Sequence, residues 1–428
     1  MSAPLEFGGV PLAGVIDALR EVEPRADACW IYDLDAFAAR VRRFQRAFAP
    51  LSATVALALK ANSLPALLES ARDLGLGAEA GSIGELELSR RLGFDPARTI
   101  LNGNGRSAEE AEWAARHGLH SVNADHVGEL DLLEREASRS SARVRVALRV
   151  NPSIEAGGHP YVATGGDDAK FGIAPGEALE AWTARERWPH LRLDGMHLHI
   201  GSQLQDAGPL QRGAEAALRL TDESARRGAA LGFVNLGGGF GVDYSGSGAE
   251  FPLEGYAEWL TGRARGRSLE WLLEPGRWLT APIGALLAEV RAVKRRDGQR
   301  FVVLAAGMND LLRPALYGAR HRIVPIAPRA GADTPAVVVG PVCESADVFA
   351  SGIELPPLEA GDRVAILDAG AYGAAMSSNY NGRGRLAELT AAGGELTRVR
   401  AGEGPDALLA RRTADRLEPG KRGARTTE

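Results

Sequence analysis

The sequence predicts an α/β protein: an eight-stranded (β/α)8 barrel of the TIM type, joined to a second, β-rich domain. Three observations carry this expectation. The chain has 428 residues, more than a single hydrophobic core usually serves. Between residues 54 and 277, eight short apolar or β-branched runs alternate with segments of helical period, the pattern of parallel strands joined by crossover helices. Beyond residue 280 the texture changes to short strands punctuated by Gly and Pro.

The eight runs are TVALALK (54–60), GLGAEA (75–80), TILNGN (99–104), SVNAD (121–125), VRVALRVNP (144–152), LDGMHLHIG (193–201), FVNLGGG (233–239) and SLEWLLEPGR (268–277). Helical patterns such as LPALLESARDL and SAEEAEWAARHG fill the intervals. An open doubly wound sheet also alternates strands and helices, so it is the count of eight that favours a closed barrel. The barrel is expected over 35–280, with 1–34 and 281–410 forming the β-rich domain, which CWIYD (29–33) joins as an early strand. The polar tail 411–428 is expected to fray. A Gly-rich stretch without helical pattern, 153–174, is long enough to read as a functional loop.

Composition narrows the function classes. Hydrophobic residues make up 45% and charged residues 25% of the chain, as in ordinary globular proteins. A formal net charge of -5 gives no electrostatic reason to expect nucleic acid or an anionic membrane as partner. No run approaches the length of a membrane span, and the N-terminus lacks the pattern of a signal peptide. Only two cysteines occur, Cys29 and Cys343, too far apart in sequence for a disulfide framework and suited to a reducing cytoplasm. A small molecule is the expected partner.

A barrel places its chemistry where strands end and βα loops begin, and the reactive residue types fall there. Lys60 ends the first run, where desolvation would lower its pKa and make the amine a nucleophile toward an aldehyde; a lone lysine in such a place is otherwise a snorkelling surface residue. Gly237, Gly238 and Gly239 follow the seventh run and offer backbone N–H groups to an anion, although glycine triplets are also simply tight turns. His197 and His199, two apart, share a strand face pointing into the barrel. They read as a metal pair, as buried hydrogen-bonded rings, or as a ring stacked on a flat cofactor; no further ligand stands at metal spacing. Ser202 can donate to a phosphate. Glu274 and Arg277 in EPGR read either as an internal salt bridge or as a carboxylate for a ring nitrogen beside a guanidinium for phosphate or carboxylate. In the second domain Cys343 and Glu344, Arg313, Tyr317 and Tyr372 each have a plain packing role as their alternative.

Taken in order, IYDLDAF, ALKANS, SIGELELS, NGNGRS, LRVNP, AKFGI, HLHIGSQ, NLGGGFGVDY, EPGR, GMNDLLRPALYGARH, GPVCESADVF and DAGAYGAAMSSNYNGR resemble the fold-type III pyridoxal-phosphate decarboxylases, most closely the diaminopimelate branch. The resemblance spans roughly residues 30–390. It implies pyridoxal 5′-phosphate bound through Lys60, stacked by His199, with Glu274 at the ring nitrogen. Ser202, Gly237, Gly238, Gly239, Arg277 and Tyr372 would hold the phosphate. Arg277, Arg313, Tyr317, Glu344 and Tyr372 would face the substrate, and Cys343 would return a proton. The resemblance also implies a homodimer in which Cys343 and Glu344 complete the neighbouring subunit's site.

The implied reaction is decarboxylation of meso-diaminopimelate to L-lysine and carbon dioxide. An arginine facing the far end of the substrate favours a carboxylate there over a bare diamine tail. Three departures from the branch pattern bear on substrate: the lead EPRADACWIYD, Ala305 where an Asp is expected, and Phe240 where Leu is more usual. Decarboxylation of ornithine, lysine, arginine or a tailored amino acid is the first alternative, a non-catalytic homologue the second. A racemase would need paired bases on opposite faces of the substrate.

Overall fold

Eight parallel strands close into a barrel in the computed structural model, which describes residues 5–154 and 171–410. Most of the Gly-rich stretch expected at 153–174, and the tail expected at 411–428, lie outside the described residues. In chain order, strand β1 (Ala28–Asp33) precedes the barrel strands. These are β2 (Thr54–Ala58), β3 (Gly77–Ala80), β4 (Thr99–Leu101), β5 (Ser121–Ala124), β6 (Val144–Arg149), β7 (Leu191–His197), β8 (Phe233–Asn235) and β9 (Glu270–Leu273). Each pairs with its sequence neighbour, and β9 returns to β2 through Leu272↔Thr54 and Leu273↔Val55. All eight predicted runs are strands, but the ladders stop earlier than the apolar patterns do. Lys60, His199, Gly237, Gly238, Gly239, Glu274 and Arg277 therefore lie just past the strand ends.

Side chains two apart on each strand build the barrel interior in tiers. The middle tier is apolar and fully buried: Ala56, Ile100, Ala147, Phe233 and Leu272 form one cluster. Phe233 fills its centre because the neighbouring positions are small. A Cβ on Gly195 would lie 2.1 Å from the Phe233 ring and 2.8 Å from Ala147. Below this tier Arg145 pairs with Asp194 (3.0 Å) and Glu270 (2.8 Å), and His120 contacts Glu270 at 2.7 Å. The Arg145 guanidinium lies 4.2 Å over the Phe233 ring. Above it, the same strand faces carry Glu79, Asn102, Asn123, Arg149, Asn235 and Glu274 toward the C-terminal mouth.

The second sheet is built on β10 (Gly284–Arg296), a strand long enough to serve two partners. It pairs antiparallel with β1 at one end and with β11 (Gln299–Leu304) at the other. Strands β12 (Ile323–Pro325), β13 (Thr334–Val339), β14 (Val348–Leu355), β15 (Arg363–Ile366), β16 (Ala387–Ala392) and β17 (Glu395–Arg400) complete it. The sheet order is β14-β13-β11-β10-β1-β16-β17, with β15 joining β10 to β12. CWIYD is thus central in the second sheet, a position its unbroken burial favours. Two bonds tie this sheet to the barrel mouth: Asn62 donates to the Gly370 carbonyl (2.9 Å), and the Tyr372 N–H donates to the Ala61 carbonyl (2.8 Å). Among the described residues no helix is long and apolar enough to cross a membrane.

Candidate active site

The barrel mouth opens into a cavity of about 380 Å3 whose lining includes Lys60, Glu79, Asn102, Arg149, His199, Ser202, Gly239, Glu274, Arg277, Arg313, Tyr317 and Tyr372. That volume suits a small cofactor with its substrate. Lys60 stands in the single turn Leu59–Ala61 that follows β2, and half of its side-chain surface faces the cavity. Its Nζ donates to Glu79 at 2.9 Å. The expectation of a lowered lysine pKa is therefore corrected. Burial pulls the ammonium down, but the Glu79 carboxylate, with Tyr372 and Glu274 behind it, outweighs burial and holds the pKa above its ordinary value.

Glu274 follows β9 and is buried. Asn235 donates to its Oε1 at 2.6 Å, Asn102 donates to its Oε2 at 3.0 Å, and His197 Nε2 stands 3.4 Å from Oε2. Burial works against its charge, yet His197, Lys60 and the Asn235 amide outweigh it and hold the carboxyl below the usual range. Glu274 does not pair with Arg277; each bonds other groups. The histidines divide their roles accordingly. His197 is buried against Glu274, and both it and half-buried His199 line the cavity. Burial, then Lys60 and Arg149, push His199 well below the ordinary imidazole value, so its ring is neutral.

Arg277 begins a one-turn helix, Arg277–Thr280. Its NH1 donates to the Tyr244 hydroxyl (2.9 Å), its NH2 to Ser202 Oγ (3.0 Å), and its plane lies 4.8 Å over the Tyr372 ring. Ser202 accepts there, which leaves its own hydrogen to donate. Tyr372 holds φ +56°, a conformation that costs a bulky residue roughly 1 kcal/mol or more and tends to mark functional sites. The glycine run is less open than its sequence promises. The Gly237 N–H donates to Asn235 Oδ1 (2.9 Å) and the Gly238 N–H to His199 Nδ1 (3.3 Å), while Gly239 lines the cavity. Glycine is nevertheless required: a Cβ on Gly238 would sit 2.4 Å from the Glu274 carbonyl.

Arg313 and Tyr317, from the second domain, line the same cavity. Cys343 and Glu344 do not. Cys343 is exposed, with its N–H donating to Asn381 Oδ1 at 2.9 Å. Glu344 lines a separate surface groove with Met308, Leu312 and Tyr380. Of the departures from the branch pattern, Ala305 is buried behind the end of β11. Phe240 packs edge-on against Phe44 (5.2 Å) and Phe251 (5.3 Å). Sequence reading missed Glu79, Asn102, Arg149, Asn235 and Tyr244. The available signal was a polar residue near the C-terminal end of an apolar run, in GAEA, ILN, ALR and FVN.

Fold and site define a class: barrel enzymes that present a lysine amine at the strand mouth to an aldehyde cofactor, with a buried carboxylate across the cavity. Residues 34–281 match the family model described as pyridoxal-dependent decarboxylase, pyridoxal binding domain, and the chain belongs to this family of carbon–carbon lyases. A diaminopimelate decarboxylase of Neisseria meningitidis serogroup A is 40% identical over 375 residues, 87% of this chain and 92% of that one. One of Zymomonas mobilis is 37% identical over 385 residues, 89% of this chain and 91% of that one. The crystal structure of diaminopimelate decarboxylase from Helicobacter pylori complexed with L-lysine superposes with a TM-score of 0.87 at 35% identity, covering 92% of this chain and 98% of that one. The residues present fit a pyridoxal group: the buried Nε of Arg277 has no partner, beside a hydroxyl and a glycine that complete an anion cradle.

Proposed function

We propose that the chain decarboxylates meso-diaminopimelate to L-lysine, with pyridoxal 5′-phosphate held in the Lys60 cavity, as a cytoplasmic homodimer. The observation that carries this reading is Arg313. It is a buried guanidinium in the wall of the cavity that holds Lys60, which suits a substrate with a carboxylate at its far end and disfavours a cationic diamine tail.

When bound, the cofactor supplies an electron-withdrawing ring that accepts the electron pair left by the departing carboxylate. Lys60 would hold the cofactor through its aldehyde carbon. Glu274, held ionised and aimed by Asn102 and Asn235, would face the ring nitrogen and favour its protonated form. His199 would support the ring as a neutral imidazole. Ser202, Gly239, Arg277 and Tyr372 would hold the phosphate, with Gly237 and Gly238 shaping the turn that presents Gly239, and Arg277, Arg313, Tyr317 and Tyr372 would orient the substrate. Cys343 delivers the proton that replaces carbon dioxide, and Glu344 takes the far ammonium, both reaching the cavity from the neighbouring subunit.

The test is direct. Purified protein should show an absorbance band of lysine-linked cofactor that Lys60→Ala abolishes. It should release carbon dioxide from meso-diaminopimelate in preference to lysine, ornithine and arginine. A colourless protein that gains no band with added cofactor would overturn the reading; a different preferred amino acid would overturn the substrate.

A further inference from the structure

Arg313 is gripped from two sides by residues outside the cavity lining. Its NH1 donates to His321 Nε2 at 2.8 Å, and its guanidinium lies 4.7 Å from the centre of the Tyr244 ring. His321 donates from Nδ1 to the Leu367 carbonyl at 3.0 Å. That bond fixes the tautomer, with the proton on Nδ1 and the lone pair of Nε2 turned to Arg313. Burial, then the charge of Arg313, pushes the imidazole down to about 3, so it stays neutral at working pH. Tyr244 meets His321 edge-on at 5.2 Å, and its hydroxyl accepts from Arg277 at 2.9 Å. One tyrosine thus spans two of the cationic groups of the cavity wall, Arg277 and Arg313.

The chemistry of the acceptor matters. A carboxylate in place of His321 would orient Arg313 equally well but would neutralise it, weakening its pull on an anionic ligand. A neutral imidazole orients the guanidinium and leaves its whole charge available. The Tyr244 ring adds a cation–π face without charge.

We propose that His321 and Tyr244 are positioning residues that fix Arg313 as the recognition element for a carboxylate at the far end of the substrate. The inference rests on the decarboxylase reading above and assigns the specificity of that site.

The experiment compares holoenzyme binding of L-lysine with that of cadaverine, the same carbon chain without a carboxylate, together with KM and kcat for meso-diaminopimelate. His321→Ala should weaken L-lysine by about tenfold or more and raise KM more than it lowers kcat, leaving cadaverine unchanged. His321→Gln can accept from Arg313 at one end and donate to Leu367 at the other, and should restore most of the loss. Tyr244→Leu, which also releases Arg277, should weaken L-lysine by a larger factor than cadaverine. Equal weakening of both ligands, or lysine binding untouched in His321→Ala, would overturn the assignment. If the unmodified enzyme does not prefer L-lysine over cadaverine, the substrate reading falls first and takes this assignment with it.

Discussion

Asn102 donates through Nδ2 to Glu274 at 3.0 Å, and the same nitrogen reaches Glu79 at 2.8 Å. One neutral amide, itself held by Asn123 at 2.7 Å, separates the carboxylate beneath Lys60 from the carboxylate across the cavity. The amide keeps the two acids apart, each with its own task.

Glu79 sets the reactivity of Lys60. Removing its charge leaves burial as the dominant influence, so in Glu79→Gln the lysine pKa falls. Because only the neutral amine attacks an aldehyde, the pH at which cofactor-free protein half-forms its absorbance band should drop by about one unit or more. An unchanged or higher midpoint would contradict the assigned role.

Asp310 gives the fold a pH dependence. Burial pushes its carboxyl up to about 7, although Gly307 N–H and Asn309 Nδ2 donate to it at 2.9 and 3.0 Å. The folded chain therefore binds a proton there that the unfolded chain, with an aspartate near 4, does not. Its stabilising contribution is complete below about pH 4 and is lost as pH rises through about 7. Asp310→Asn should melt higher than wild type at pH 8, by roughly 1 kcal/mol or more, with a smaller difference at pH 5. Melts that differ equally at both values would exclude the linkage.

Gly195 should tolerate no side chain while Phe233 is present. Gly195→Ala is expected to destabilise by about 1–3 kcal/mol in denaturant unfolding, and pairing it with Phe233→Leu should recover part of that loss. Additive costs in the double variant would show that the two residues do not compete for space.

The separation of Cys343 from the Lys60 cavity within one chain predicts complementation. Lys60→Ala and Cys343→Ala should each be inactive alone. Mixed after subunit exchange, they should recover up to about a quarter of wild-type activity, since half of the mixed dimers' sites are intact. No recovery, with mixed dimers demonstrated, would place Cys343 outside the neighbouring site.

Much of this was legible in the sequence, for definable reasons. Short apolar or β-branched runs located every barrel strand, because a parallel strand buried on both faces reads as a near-continuous apolar run. They could not locate the strand ends. Lys60 and Glu274 continue an apolar pattern while their backbone has already left the ladder, and only pairing partners reveal that. The lysine pKa was misjudged because burial can be inferred from ALALK, whereas the countercharge at Glu79 lies on another strand. Tyr244 and His321 close two of the stretches that carry the resemblance, NLGGGFGVDY and GMNDLLRPALYGARH, yet nothing in either stretch says that the two side chains meet. Their common partner Arg313 is a product of the way the two domains meet.

The apolar tier around Phe233 has a consequence for traffic. With an aromatic ring at the barrel's waist and the Arg145, Asp194 and Glu270 charges interlocked beneath it, the described residues block the barrel axis below the cavity. A ligand therefore meets the chain from the mouth side, where Tyr372 from the second domain lines the cavity.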